Sequence, residues 1–150
     1  MGRYLLTLLL IFWALPVWAL SCRAVLQVDY ELAVFEFYHQ HRDLAVEGRS
    51  SAQLLNILTP FLQALSSYQK IEAQITKEYG DKPLEAILEE TCPKEIHLTL
   101  TQERAEALRW VTGREPVIPH QFNRLRADIT EKAQQLALEI SKELSRRQEK

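Results

Sequence analysis

Few residue types in this chain combine in patterns that carry chemistry, and the two cysteines come first. Cys22 and Cys92 are the only thiols among 150 residues. An even pair in an oxidising compartment is most simply a disulfide, and one closing so long a loop stabilises a fold by about 4 kcal/mol on the chain-entropy model. Cys22 also ends Ala19-Leu20-Ser21-Cys22, which has the form of a lipobox, although a typical lipobox carries Leu where Ala19 stands. Acylation of Cys22 would leave Cys92 as a lone thiol. No other cysteine or histidine lies close enough in sequence to form a zinc knuckle.

Three further groups merit a chemical reading. Glu36, His39 and Asp43 share one side of a helix, and Glu36-Phe37-Tyr38-His39 has the Glu-x-x-His form of di-iron bundles. Those bundles need two such motifs and two more glutamates, no second copy exists here, and the same residues fall on the polar strip that a solvated helix face requires. His41 instead lies in an apolar stripe between Phe37 and Leu44, where a buried neutral imidazole would make stability sensitive to acid. Arg104, Arg109, Arg114, Arg124 and Arg126 concentrate in the second half of the chain and could frame a pocket for a carboxylate or phosphate. Glu103, Glu106, Glu115 and Asp128 are interleaved with them, so surface ion pairs, such as Arg124 with Asp128, are the competing reading. No serine or cysteine sits in a nucleophile motif, no glycine-rich loop could cradle phosphate, and nothing in the chain calls for a cofactor.

The segment ahead of Cys22 sets the compartment for all of these. Arg3 precedes an unbroken apolar run from Leu5 to Leu15, then Pro16 and Val17-Trp18-Ala19, the pattern of a secretory signal with cleavage after Ala19. An uncleaved anchor is the rival, but Tyr4 to Leu20 falls slightly short of the roughly 20 residues a spanning helix needs. The domain boundaries that follow are 1–19 for the signal peptide and 20–150 for a single domain. With Arg3 gone, 17 basic side chains face 20 acidic ones, which excludes a nucleic-acid binder by charge. Membrane attachment follows only if the N-terminal segment is retained or Cys22 is acylated.

Positioning falls to helices. Apolar residues step by three and four from Arg23 to Glu47, with Gly48 as the stop, and again from a cap at Ser51 through Leu54, Leu58, Phe61, Leu65, Tyr68, Ile71 and Ile75 to Tyr79. Pro60 lies inside that second stripe without breaking its phase, which favours a kink over a restart. Asp81 to Thr91 reads as a short helix with Leu84, Ile87 and Leu88 inward. Glu95 to Leu100 alternates and reads as an extended connector, with Thr99 and Gln102 as a capping box for a helix ending at Gly113. The last helix runs from His120 to Leu144 or beyond through Phe122, Ile129, Ala133 and Ile140, with Ser145 to Lys150 fraying. The fold class is therefore all-α: a bundle of four main helices and one short one, with one disulfide.

Leu98-Thr99-Leu100-Thr101-Gln102 resembles the Leu-Thr-x-x-Gln motif of the periplasmic stress chaperones of the Spy and CpxP type. The resemblance implies a small exported helical protein that holds other polypeptides. That family carries the motif twice and forms a cradle-shaped dimer, whereas the nearest second copy here, Leu58-Thr59-Pro60-Phe61-Leu62-Gln63, is one residue longer. The match covers five residues. The functional expectation is a periplasmic or secreted protein that binds another polypeptide without catalysis, as a chaperone or adaptor. The alternatives are a lipid-anchored accessory subunit of an envelope or secretion assembly, acylated at Cys22, and a small exported helical enzyme using the arginine-lined pocket.

Overall fold

The computed structural model describes residues 20–116 and 118–149, so the signal-peptide reading of residues 1–19 lies outside the described residues. Among the described residues six helices form: α1 (Cys22–Val25), α2 (Val28–His41), α3 (Ser51–Tyr79), α4 (Leu84–Thr91), α5 (Lys94–Thr112) and α6 (His120–Gln148). No strand occurs among the described residues. Four long helices and short connecting ones bear out the all-α bundle. The Cys22–Cys92 disulfide is present, with Cα atoms 4.8 Å apart.

α2 sits in the middle, packed against α3, α5 and α6, because it is apolar on most of its circumference. Val34 and Phe37 face Leu54, Leu58 and Phe61 of α3 and Ala133, Ala137 and Ile140 of α6. On another side Phe35 meets Leu108 and Val111 of α5 with Phe122 and Ile129 of α6. A third cluster gathers the disulfide, Val28 and Leu100 at one end. The alanines at 133 and 137, four residues apart on one face, are fully or almost fully buried.

Several expected boundaries move. The first helix does not run unbroken to Glu47: Gln27 adopts a left-handed backbone at φ 56°, so α1 becomes a separate turn that packs against α4 and α5, carrying Cys22 to Cys92. α2 then stops at His41, since a short 3-10 turn (Val46–Gly48) is needed to swing Val46 into the core. The cap of α3 is Ser50, not Ser51; its hydroxyl accepts from Gln53 N at 3.1 Å while Gln53 Oε1 accepts from Ser50 N at 3.0 Å. α3 continues through Pro60 as one helix, as the unbroken stripe requires. Leu84 is exposed rather than inward.

The largest correction is at Glu95 to Leu100, which is helix and not an extended connector. α5 starts at Lys94, directly after Pro93. The alternation of Ile96 and Leu98 does not mark a buried face, because both are exposed. Thr99 is no cap either; its hydroxyl donates back to Glu95 O at 2.9 Å inside the helix. α6 runs beyond Leu144, as expected, and stays helical through Gln148 where fraying from Ser145 was expected. Arg147 donates to Ser51 Oγ at 3.1 Å and to the Glu47 carbonyl at 3.3 Å, which pins the last turn against the start of α3.

Candidate functional site

Two of the five arginines meet. Arg104 on α5 and Arg126 on α6 both donate to Glu31 on α2, Arg126 at 3.0 Å and Arg104 at a longer 3.5 Å. The Arg104 side chain is 2% exposed, and it also donates to the Leu100 carbonyl and to Thr101 Oγ1. Phe122 lies under both guanidiniums, 5.3 and 5.7 Å from its ring centre. Burial holds the Glu31 carboxyl above the ordinary carboxylate range in spite of the two cations, and burial also pulls Arg104 down. The cluster ties three helices together through one carboxylate. Both arginines thus share one carboxylate partner within the chain.

The other three arginines stay apart from it. Arg109 pairs with Glu115 at 3.0 Å, both well exposed. Arg114 and Arg124 lie along a shallow depression with Glu115, Asp128 and Glu131, a lining of mixed sign. Asp128 takes Lys132 rather than Arg124 as its partner, at 3.1 Å.

Glu36 and Asp43 are exposed, and Glu36 accepts from Gln40 Nε2 at 3.2 Å. His39 packs its ring against Trp110 of α5, centres 3.8 Å apart. Among the described residues no group of three His, Cys, Asp or Glu could hold a metal ion, so Glu36, His39 and Asp43 do not form a ligand set. His41 is half-buried beside Phe37, with ring centres 5.5 Å apart. Burial, and then Arg49, lower its pKa.

A different place has the form of a binding site. The stripe of α3 is buried at Leu54, Leu58 and Phe61 but only half-covered at Leu65, Tyr68, Ile71 and Ile75. Where coverage fails, a groove of about 310 Å³ opens between that half of α3 and the α1–α2 joint. Ala24, Gln27 and Tyr30 line one wall; Ala64, Ser67, Tyr68 and Ile71 line the other. Tyr30 and Tyr68 pack their rings with centres 4.5 Å apart. Burial and the neighbouring Glu72 raise the Tyr68 hydroxyl's pKa.

Gln27 joins the walls. Its Nε2 donates to the Tyr68 carbonyl at 3.2 Å, which fixes the amide's orientation, since the flipped form would set two oxygens against each other. Its Oε1 is then buried with no hydrogen-bond partner among the described residues. A left-handed φ on a non-glycine residue costs about 1 kcal/mol. Strain and an unpaired acceptor thus fall on one residue, in the wall of a groove. Sequence reasoning passed over Gln27 because a glutamine between Leu26 and Val28 gives no signal of a helix break.

Among the described residues no helix is long and apolar enough to cross a membrane. The chain matches no family model, no curated protein and no solved structure. Its similarity to the stress chaperones therefore remains the five residues of α5 already quoted.

Proposed function

We propose that the protein is exported, to the periplasm or beyond the cell, and binds another polypeptide without catalysis, as a chaperone or adaptor. The observation that carries the reading is the unfinished apolar stripe of α3, buried in its first half and half-open from Leu65 onward. A bundle helix covered along only part of its apolar face leaves surface for a partner. One support comes from elsewhere: a disulfide fits an oxidising compartment. The lipid-anchored alternative needs the same sulfur that bonds Cys92, so anchor and disulfide exclude each other.

The test is a client that aggregates on dilution from denaturant. Addition of the oxidised protein at stoichiometric concentration is expected to slow light scattering several-fold. Unchanged scattering at a fivefold molar excess would contradict the reading.

A further inference from the structure

We propose that a cleft at the C-terminal end of α2 binds a carboxylate carried on a short aliphatic stem. This goes beyond the polypeptide-binding reading and does not depend on it. The cleft has a volume of about 380 Å³, at the lower end of ligand sites, which run about 300–1,000 Å³. His39, His41, Arg42 and Asp43 line it, together with Leu44, Ile57 of α3, and Arg49 on the segment that leads into α3. Its two arginines set it apart. Arg23, Arg104, Arg109, Arg126, Arg146 and Arg147 each pair with a carboxylate of this chain. Among the described residues Arg42 and Arg49 pair with none. Arg114 and Arg124 also lack an ion pair, but their depression holds three acids, Glu115, Asp128 and Glu131. In the cleft one acid, Asp43, faces two guanidiniums.

Charge and lining together define the occupant. Two guanidiniums against the single carboxylate of Asp43 leave one net positive charge before either histidine is protonated, which a monoanion neutralises. Arg42 is already held in place: its Nη1 donates to the Val111 carbonyl of α5 at 2.9 Å. That bond leaves its other N–H groups for a planar acceptor with two oxygens. Leu44 and Ile57, both half-buried against the core, give the wall an apolar part. An aliphatic stem gains by covering it, and a bare sulfate or phosphate ion does not. His41 lies in the same wall. The other titratable groups that line the cleft with it are His39, Arg42, Asp43 and Arg49, while α3 contributes Ile57 and no charge. Burial and then Arg49 disfavour the protonated His41 ring. A bound carboxylate offsets Arg49, so it favours that protonated form, and by linkage binding tightens as the pH falls.

The probe is butyrate, titrated into the ¹⁵N-labelled, oxidised protein in exchange for chloride at constant ionic strength and followed by NMR. Saturable shifts are expected at the Leu44 and Arg49 amides and at the His41 ring protons, with a dissociation constant in the millimolar range that falls severalfold from pH 7.5 to 5.5. Acetate, two methylenes shorter, should bind about fivefold more weakly, and sulfate no better than acetate. Arg49→Gln, at an exposed position with no ion pair to lose, should cut the affinity about tenfold and remove the His41 response; Arg114→Gln should bind as wild type does. Shifts that fail to saturate, sulfate binding more tightly than butyrate, or full affinity in a folded Arg49→Gln each overturn the proposal. N-acetyl-glutamic acid α-methylamide presents the same stem from a peptide. Binding as tight as that of butyrate assigns the carboxylate to a polypeptide side chain; exclusion of this compound while butyrate binds assigns it to a free acid, and the site stands in both cases. The aggregation assay reads the other proposal separately. Equal protection of a client by wild type and Arg49→Gln, with no butyrate bound, removes the cleft and leaves the polypeptide-binding reading in place; binding without protection does the reverse.

Discussion

Glu31, Arg104 and Arg126 each stand where an apolar residue is expected. Glu31 lies on the face of Val28 and Phe35, Arg104 between Leu100 and Leu108, and Arg126 between Phe122 and Ile129, always at steps of three or four. The arginines were visible in the sequence as a loose group; their convergence was not, because pairing across three helices leaves no periodic trace. The signal that could have found it is a charge on an otherwise apolar stripe, which must find a counter-charge when the stripe is buried. Glu31→Gln strands Arg104 in the core and should destabilise the fold by about 3 kcal/mol in urea unfolding. A Glu31→Leu, Arg104→Met double variant should lose much less, because the charge left without a partner, Arg126, is 36% exposed and can be solvated. Equal losses for the two would mean that the cluster is held by packing rather than by charge.

His41 gives the residue-scale pH dependence. Its folded pKa is lowered by burial and by Arg49, and the groups around it are Arg42, Asp43, His39 and Arg49. The unfolded chain, with an ordinary imidazole near about 6.5, takes up the proton first. His41 therefore contributes stability above that pH and loses it as the pH falls toward the folded value. Glu143, pulled down to about 2 by Arg146 and Arg147, stays ionised across this window and adds no slope. The urea midpoint should drop between pH 7.5 and 5.5, and His41→Gln should reduce the drop. An unchanged drop would assign the sensitivity elsewhere.

At the scale of elements, helices were legible wherever an apolar stripe met a cap or a glycine stop. α5 ends at Gly113, left-handed at φ 72°, whose N–H donates to the Arg109 carbonyl at 2.7 Å, as its position in the sequence predicts. What stayed hidden were breaks imposed by tertiary demands. The turn at Gln27 follows from the reach of Cys22 to Cys92, and the early end of α2 from the burial of Val46; neither has a local cause. Pro60 is the opposite case, a local breaker overruled by packing of Leu54, Leu58 and Phe61 on either side. Thr59 Oγ1 donates to the Leu55 carbonyl at 2.6 Å just before it. Pro60→Ala restores a helical donor at an exposed position and should raise stability by about 1 kcal/mol or more, after the loss of the proline's restraint on the unfolded chain. Thermal unfolding by circular dichroism measures it, and a lowered midpoint would show that the proline's restraint on the unfolded chain outweighs its cost in the helix.

For the whole molecule the disulfide is the closing constraint. It joins residues 70 apart in sequence, and α1, with four residues, is far too short to persist as a free helix. Cys92→Ser should therefore cost about 4 kcal/mol and raise hydrogen exchange in α1 and at Gln27 before the rest of the bundle opens. The sequence pointed to this pairing through two cysteines and an apolar leader alone. The groove, which arises from how α3 outruns its neighbours, needed the assembled molecule.

Compartment, disulfide and binding surface all depend on one sulfur. Intact mass of the protein recovered from cells reads its fate directly. The account predicts a chain of residues 20–150 that is two hydrogens lighter than its reduced form. A diacylglycerol adduct on Cys22, or a mass that retains residues 1–19, would contradict it.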